Sequence, residues 1–517
     1  MAWIPPINNL AQYGIIRDIP PQELPPNAWT DGNGIIFGDG GVSKGKGYGE
    51  IYATSPRPPY FLLPGKFSGG SDFWMIPESS DTLAWYLDGI MSGNHTDISP
   101  VTVSTTITLA GSASNVWTGT VFNNEAVINN GTDHLLNWVS TTSRATFMSN
   151  AVSFTCASIR SFKNFLVAVD VTKGGTRYPQ MVKWSHSAST GSNPSWDETD
   201  PTLDAGEYSL SDTSDICVDS FTLRDSHIVY KEKSIWGMQF IGAPYIFRFF
   251  LISGTHGIMS RNCVAEVDGR HVALTSDDVL IHDGQLVESI AEKRVREDLF
   301  PSINSAYAST CFVAPDYRNH ELWVCYPVSN SLPDTAWVWN WRDNTWGKRS
   351  LGIFSHVQSG SYQGAGGTWA SDGATWASDQ TPWDVGLVAP LFMGAQPKST
   401  KLQQLNFTEQ ENGSNFTAFI ERVALDLGDD SRRKLVKKVR LHVSGTAGGQ
   451  LSVQIGSHDT PDAAPSYSGA QTHTIGTTLE NDFLVQGRYI AIKISSNSNI
   501  TWKLHSYEIN AVMAGEY

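Results

Sequence analysis

Residues 321–340 read ELWVCYPVSNSLPDTAWVWN. Two runs of β-branched and aromatic residues, 321–326 and 335–340, flank a short segment that contains Pro327, Ser329 and Pro333. Val, Trp and Tyr favour strands, whereas Pro and Ser favour the turns between them. The segment therefore predicts an antiparallel hairpin, and its counterparts elsewhere in the chain decide the fold.

The same pattern recurs along the chain: an apolar strand, a turn, and a second strand that ends in an aromatic residue or Asp-Gly. Its other copies are Phe73–Ile76 with Thr82–Gly89, Glu125–Gly131 with His134–Trp138, Phe165–Val169 with Met181–Ser185, His227–Tyr230 with Ser234–Met238, His271–Leu274 with Asp278–Gly284, and a shorter echo at Gly367–Gly373. Successive starts lie about 45–60 residues apart (271 − 227 = 44 and 321 − 271 = 50), near the ~40–50-residue period of a propeller blade.

This spacing predicts an all-β, β-propeller-like repeat of small antiparallel sheets over residues 66–400. One hairpin sheet cannot bury both of its faces, so each sheet has to pack on its neighbours around an axis. The alternative is a set of unrelated hairpins in two sandwiches. Residues 289–301, between two copies, favour a short helix that stops before Pro301.

The chain has 517 residues, more than the roughly 250–300 that one core holds, so further units are expected on both sides of the repeat. Residues 1–65 are rich in Pro, which removes a ladder donor, and predict an extended N-terminal arm. Within the arm, the Gly-rich stretch Asn27–Val42 predicts a hairpin. Residues 401–517 alternate by twos, as in Lys438–Gly445 and Gly487–Ile494, and predict a C-terminal β-sandwich.

Charge and cysteine content exclude several function classes. The net charge is 36 − 51 = −15, which argues against a conventional nucleic-acid-binding surface. Ordinary solubility is the favoured explanation of this charge, and a wall along which DNA slides without sticking is the alternative. The five cysteines lack C-x-x-C spacing and predict small buried hydrophobes. Residues 1–6 lack the charged start and long apolar core that are typical of a signal peptide, so we expect none. The longest apolar run, Tyr245–Ile252, is interrupted by Arg248 and has the length of a strand, not of a membrane span.

No pattern in the sequence indicates catalysis, a metal site or a cofactor. H-x-x-x-H spacing is absent, and we expect no G-x-S-x-G nucleophile elbow. His271 and His282 flank a hairpin, but hydrogen-bonded surface histidines are the favoured interpretation. Residues Ala370–Trp376 are similar to the Asp-box hairpin of sialidase-type propellers, with Asp372 and Gly373 one residue closer than in that motif. We therefore expect no enzyme, with a carbohydrate-binding or carbohydrate-cleaving propeller as the alternative.

The arrangement resembles a family of tailed-bacteriophage structural proteins, the tail nozzle, hub or packaged-DNA stabilisation proteins of short-tailed phages. The stretch Pro25–Phe37 followed by Gly40–Lys44 is similar to the opening pattern of that family. The segments Ile420–Gly428, Gly487–Tyr489 and Trp502–Tyr507 look like a sandwich found in phage tail proteins. The likeness covers most of the chain, but its motifs are loose and none is catalytic.

The resemblance implies a virion protein of the tail that is assembled in the host cytoplasm. It implies a homo-oligomeric ring of about six copies around the DNA exit path, with portal or adaptor proteins above, fibre or plug proteins below, and genomic DNA passing without specific binding. The arm is then expected to reach a neighbouring subunit. The residues assigned to partner binding are Trp3, Ile4, Trp29, Ile35 and Phe37.

Overall fold

A computed structural model of the chain describes residues 2–51, 54–55, 57–68, 70, 72–77, 83–87, 95–101, 109, 116–188, 193–363 and 388–515. The echo at Gly367–Gly373 and the Asp-box-like segment lie outside these residues. The chain is all-β, with a propeller-like repeat of small antiparallel sheets, an N-terminal arm and a C-terminal sandwich, as predicted. The alternative of unrelated hairpins in two sandwiches is wrong, because the sheets form a closed circle.

The N-terminal segment contributes five short strands. They are β1 (Ala2–Trp3), β2 (Asp31–Asn33), β3 (Ile35–Gly38), β4 (Gly41–Lys44) and β5 (Tyr48–Glu50). β3 and β4 form the predicted hairpin, whose turn residues Asp39 and Gly40 have φ angles of 48° and 73°. Positive φ at both positions is the signature of a type I′ turn, for which Asp-Gly is a favoured pair.

Seven four-stranded antiparallel sheets, here called blades 1 to 7, follow in chain order within the described residues. Blade 1 consists of β6 (Leu63–Lys66), β7 (Asp72–Pro77), β8 (Leu83–Leu87) and β9 (Thr96–Asp97), and blade 2 consists of β10 (Thr118–Phe122), β11 (Glu125–Asn129), β12 (Leu136–Trp138) and β13 (Thr146–Phe147). Blade 3 consists of β14 (Phe154–Phe162), β15 (Phe165–Lys173), β16 (Thr176–Trp184) and β17 (Gly206–Ser209). Blade 4 consists of β18 (Cys217–Leu223), β19 (Ser226–Lys231), β20 (Ile235–Phe240) and β21 (Phe247–Ser253).

Blades 5 to 7 complete the circle. Blade 5 consists of β22 (Val264–Val267), β23 (Arg270–Leu274), β24 (Val279–His282) and β25 (Val287–Ser289). Blade 6 consists of β26 (Phe312–Asp316), β27 (Glu321–Tyr326), β28 (Thr335–Asn340) and β29 (Thr345–Ser350). Blade 7 consists of β30 (His356–Gln363), β31 (Val388–Gln396) and β32 (Lys401–Leu405), together with β5 from the N-terminal segment. Tyr48 pairs with Leu405, so the outermost strand of blade 7 comes from the start of the chain.

The core of the circle lies between blades. Separate apolar clusters join blades 1 and 2, 2 and 3, 3 and 4, 6 and 7, and 7 and 1. The largest cluster joins blades 4, 5 and 6 to the sandwich. The five cysteines are buried in this framework, as predicted. Each sheet thus buries its two faces against its neighbours, which is the physical reason for the repeat.

The sandwich comprises the last eight strands. They are β33 (Ala418–Leu425), β34 (Lys434–Gly445), β35 (Gln450–His458), β36 (Ser466–Tyr467), β37 (Gln471–Thr474), β38 (Asn481–Gly487), β39 (Tyr489–Ser496) and β40 (Trp502–Met513). One sheet has the order β3-β4-β40-β34-β38 with β1 on β40, and the other has the order β2-β33-β39-β35-β36 with β37 on β35. The N-terminal segment therefore completes both sheets of the sandwich as well as blade 7.

The described residues hold little helix. One α-helix, α1 (Arg296–Ser302), lies between blades 5 and 6. The 3-10 helices are Pro21–Glu23, Ser149–Ala151, Ser305–Thr310 and Pro397–Ser399. The predicted helix over residues 289–300 was wrong in its bounds: it starts only at Arg296 and it includes Pro301 in its last turn. None of the helices in the described part of the chain has the length and apolarity to span a membrane.

Candidate interaction surface on blade 4

The five residues predicted to bind partners lie in contacts within the chain. Trp29, Ile35 and Phe37 are buried in the cluster that joins the sandwich to blades 4–6. Ile4 packs against the same cluster, and the backbone of Trp3 pairs with Asn510 of β40. The arm thus docks on the C-terminal strands of its own chain, and partner binding by these residues stays a prediction.

The arm is fixed by polar as well as apolar contacts. The indole Nε1 of Trp29 donates to the carbonyl of Leu10 at 2.9 Å, and the Trp29 ring lies 6.0 Å from that of Tyr507. The buried guanidinium of Arg422 donates to the carbonyl of Leu24 at 2.8 Å. Burial lowers the pKa of Arg422 to about 10, and the carbonyls of Leu24 in the arm and of Val423 accept its hydrogen bonds.

A different surface, on blade 4, has the features of a contact site. β21 is the outermost strand of its blade, and among the described strands it pairs only with β20. Its sequence Phe-Arg-Phe-Phe-Leu-Ile-Ser is almost entirely apolar, yet only Phe247 is buried. An exposed apolar edge strand offers unpaired N–H and C=O groups beside hydrophobic side chains, which makes it a template for association.

Exposed aromatic and aliphatic side chains continue this surface beyond the strand. We call it the rim patch. The half-buried Phe249 completes it, and its exposed members lie on the outer edge of blades 3 and 4: Tyr208, Phe240, Ile241, Tyr245 and Leu251. Tyr245 is 76% exposed and Leu251 is 49% exposed. Single exposed hydrophobics are ordinary, whereas several on neighbouring strands make this edge a candidate interaction site.

The rim patch is held in a defined shape. The rings of Tyr208 and Phe249 stack with centroids 4.8 Å apart and planes 8° apart, which joins blade 3 to blade 4. The ring of Phe250 lies across Gly237, so close that a Cβ at position 237 would lie 2.2 Å from it. Because these rings are fixed before any partner arrives, association loses less side-chain entropy than it would with mobile residues.

Few charges surround the rim patch: Arg248, Lys163, and Asp225 at 4.0 Å from Lys163. Arg248 is exposed and contacts no carboxylate among the described residues. The Lys163 ammonium lies 5.7 Å from the ring centroid of Phe240. Interface cores are poor in charge and rich in Tyr, Phe and Arg, which is the composition of this patch.

Sequence reasoning noticed residues 245–252 but used them only to exclude a membrane span. The available signal was the unbroken run Phe249-Phe250-Leu251-Ile252, which follows a Gly242 and Pro244 turn. A strand without alternation is typical of burial on both faces. β21 is exposed because it lies at the edge of its blade, and the sequence does not show that position.

A polar network lies at the axis of the propeller, beside a cavity of about 190 Å³. Asp219 of β18 receives two hydrogen bonds from the guanidinium of Arg160 in β14, at 3.0 and 2.7 Å. The backbone N–H of Asn262 also donates to Asp219. The side-chain amide of Asn262 donates to the carbonyl of Trp117, the residue that precedes blade 2. Burial raises the pKa of Asp219, but Arg160 and the hydrogen bonds outweigh it and lower the pKa, so the carboxylate is ionised.

The histidines expected at the surface are buried. His271 and His282 occupy paired positions of β23 and β24, with ring centroids 5.6 Å apart, and each is about 1% exposed. The prediction of hydrogen bonding is confirmed, because both rings contact the hydroxyl of Tyr230. The prediction of surface positions is wrong, because adjacent strands of blade 5 turn both rings towards blade 4.

Blade 3 carries an open cleft of about 710 Å³, lined among others by Phe154, Tyr178 and Trp196. At its edge, Glu198 accepts hydrogen bonds from Lys183 at 2.6 Å and from Lys173 at 3.1 Å. Burial raises the pKa of Glu198, but the bonds from the two lysines outweigh it and lower the pKa to about 2. Glu198 is therefore ionised at neutral pH and cannot serve as the general acid of a glycosidase.

The described residues thus form an all-β protein with a seven-bladed propeller, a fused sandwich and an exposed apolar edge on blade 4. No family model matches the sequence, and no curated protein matches it. The solved structures that match the chain include the following three, all at low sequence identity.

The first is the computationally designed protein Ika8, with 10% identity, a TM-score of 0.36, and coverage of 69% of this chain and 99% of that one. The second is a GH74 enzyme of Niastella koreensis, with 10% identity and a TM-score of 0.33, where 68% of this chain matches 43% of the enzyme. The third is YCF48 bound to a D1 peptide, with 8% identity, a TM-score of 0.36, and coverage of 69% and 94%. These likenesses concern the fold alone.

Proposed function

We propose that this chain is a structural protein of a short-tailed bacteriophage virion, in the tail nozzle, hub or head-to-tail connector. Several copies form a ring around the DNA exit channel and dock portal or adaptor proteins on one side and fibre or plug proteins on the other. The role is assembly without catalysis, and the ring is built in the host cytoplasm. The observation that carries the proposal is the rim patch.

The rim patch supports self-association between different surfaces of neighbouring copies. β21 leaves its outer hydrogen-bonding groups free of strand partners within the described chain, and the patch adds fixed aromatic rings to that edge. A contact between two different surfaces of identical subunits closes into a ring when its rotation divides a full turn. A tail protein needs such a closed ring.

The narrow axis supports a channel between subunits and not through one. Arg160, Asp219 and Asn262 bond to one another at the centre of the propeller, and the cavity of about 190 Å³ that remains there is too small for DNA. In a ring of copies, the channel lies at the common symmetry axis. The net charge of −15 suits a wall along which DNA moves without adhering.

The proposal is tested by the mass of the purified chain in solution, measured by light scattering. Leu251→Lys places a charge in the rim patch, and the matched control Leu286→Lys changes a 61% exposed leucine on blade 5. We expect a ring of about six copies for the wild type and the control, and a smaller species for Leu251→Lys. Both substitutions are at the surface and should change the free energy of unfolding by less than about 0.5 kcal/mol.

A wild-type chain that stays monomeric at all concentrations, and that is absent from the tails of the phage particles that encode it, would contradict the proposal. Mass spectrometry of purified particles supplies the second observation. If the Leu251→Lys variant still forms the ring, the oligomer is real but the rim patch is not the surface through which its copies contact one another.

The blade 3 cleft supports a second candidate, a carbohydrate-binding or carbohydrate-cleaving propeller. The Tyr178 ring is 39% exposed at its edge, and aromatic faces with nearby polar groups are suited to sugar rings. Screening of the wild type and of Tyr178→Ala on immobilised oligosaccharides distinguishes the two. A monomer whose glycan binding disappears in Tyr178→Ala would favour this candidate over the tail ring.

A further inference from the structure

A second cavity lies at one end of the propeller axis, next to Arg261. Its walls come from blades 1, 2, 5, 6 and 7, and its volume is about 40 Å³. On this measure a single water molecule requires roughly 10–15 Å³. The cavity therefore has room for a small polyatomic ion but not for a polymer.

Arg261 brings a positive charge to this cavity without a matching carboxylate. Its guanidinium donates to the carbonyl of Val116 at 3.1 Å, and within the described residues no Asp or Glu oxygen lies within ion-pair distance. This differs from Arg160 on the same axis, whose charge is matched by Asp219. A guanidinium has five N–H donors in a planar fork, so most of the donors of Arg261 are available to a ligand.

A second polar group at the same cavity also lacks a partner. His356 is 6% exposed, and no described group bonds to its Nδ1. Its ring is held between Phe61 and Phe312, at centroid distances of 4.4 and 5.6 Å. Burial and the nearby Arg160 lower the pKa of His356 to about 3, so the ring is neutral and can carry one N–H donor. Buried polar groups without partners are rare and call for an explanation.

We infer that the axial cavity at Arg261 binds a small inorganic oxyanion such as phosphate or sulfate. Guanidinium groups bind the oxygens of such ions through paired, charge-assisted hydrogen bonds. The bound ion would neutralise Arg261, whose pKa is lowered by burial, and would link the blades that meet at the axis. The inference does not depend on the tail function, since it rests on the single chain.

Isothermal titration calorimetry with inorganic phosphate and with sulfate tests the inference, in chloride buffer of constant ionic strength. We expect saturable binding by the wild type and a thermal midpoint that rises with phosphate concentration. Arg261→Met should weaken binding by roughly tenfold to a hundredfold, the equivalent of one lost charged hydrogen-bond partner. Arg270→Met is the matched control, because it removes an exposed arginine from blade 5 and should leave binding unchanged.

Two further measurements keep the outcome clear. Arg261→Lys retains the charge and should retain weakened binding even if Arg261→Met folds poorly. A single-stranded DNA oligonucleotide should not displace phosphate, because the cavity is too small for a phosphodiester and its sugars. Displacement by the oligonucleotide, equal binding by Arg261→Met, or no saturable heat from the wild type would each overturn the assignment.

Discussion

The hydroxyl of Tyr230 in blade 4 lies 2.8 Å from Nδ1 of His271 in blade 5. The direction of each hydrogen bond follows from the neighbours. Nε2 of His271 contacts the carbonyl of Thr222 and must donate, so Nδ1 accepts from Tyr230. Nδ1 of His282 accepts from the N–H of Gly284, so its Nε2 donates to the Tyr230 hydroxyl at 2.6 Å. Both imidazoles are therefore neutral in the folded chain.

This arrangement predicts that the chain loses stability in mild acid. Burial lowers the pKa of His227 and His271 to about 3 and of His282 to about 4, whereas an unfolded histidine titrates near ~6.5. The contribution of these three neutral histidines to the free energy of unfolding is therefore complete above that pH. It is lost as the pH falls towards 4, by about 1.4 kcal/mol per pH unit for each histidine. Urea unfolding at pH 7.5 and 5.5 measures it.

Buried carboxyl groups with a raised pKa oppose this trend, and Glu411 among them supplies the control. Burial raises the pKa of Glu411 to about 7 despite Arg349 and Lys44, so its contribution is present at low pH and lost as the pH rises through 7. Glu411→Gln should therefore make the loss of stability below pH 6.5 steeper. A flat profile between pH 7.5 and 5.5 would show that the three histidines are solvated.

Removal of the Tyr230 hydroxyl should destabilise the contact between blades 4 and 5. Tyr230→Phe leaves Nδ1 of His271 and the Nε2–H of His282 without partners in a buried site, at a cost of about 2–4 kcal/mol in the free energy of unfolding. Tyr208→Phe is the matched control, since Tyr208 is 47% exposed and should change stability by less than about 0.5 kcal/mol. Equal urea midpoints for the two variants would contradict the prediction.

The axial network predicts a large effect for one carboxylate. Asp219→Asn removes the negative charge that neutralises Arg160, and breaking a buried ion pair in this way costs about 3–5 kcal/mol. Asp225→Asn serves as the control, because the Asp225 side chain is 99% exposed and lies 4.0 Å from Lys163. Guanidinium denaturation of both variants gives the comparison, and a loss under about 1 kcal/mol for Asp219→Asn would mean that the network is solvated.

The crossing of the arm over the segment before the sandwich predicts a position where only glycine fits. A Cβ at Gly47 would lie 2.2 Å from the carbonyl oxygen of Gln410, a backbone atom. Gly47→Ala should therefore lower the unfolding free energy by more than about 2 kcal/mol. Gly469→Ala, where no atom lies within 4 Å of a new Cβ, should be within about 0.5 kcal/mol of the wild type. Limited proteolysis should cleave the arm faster in Gly47→Ala alone.

Local patterns in the sequence predicted most of the propeller. The pairing of residues 321–326 with 335–340 is observed in blade 6, where Glu321 pairs with Asn340. The turn at Asp39-Gly40 was also predictable, because few residue pairs accept positive φ. These features depend on residues close in sequence, so composition and spacing are sufficient to indicate them.

The contacts of the arm and the rim patch were not predictable in the same way. Tyr48 pairs with Leu405, and Ala2 pairs with Ala511, and no local signal specifies a partner hundreds of residues away. Apolar residues such as Trp29 and Leu251 look alike in the sequence, although one is 1% and the other 49% exposed. The difference arises from the position of each strand in its sheet, which only the tertiary structure defines.

The closure of blade 7 by β5 has a consequence for synthesis of the chain. Tyr48 leaves the ribosome 405 − 48 = 357 residues before its partner Leu405, which at about 5–20 residues per second corresponds to roughly 20–70 s. During that interval β5 and the apolar face of the arm have no native neighbour. Nascent chains on one messenger can then exchange arms or aggregate, so the yield of closed propellers should depend on how well chaperones cover this segment until translation passes blade 7.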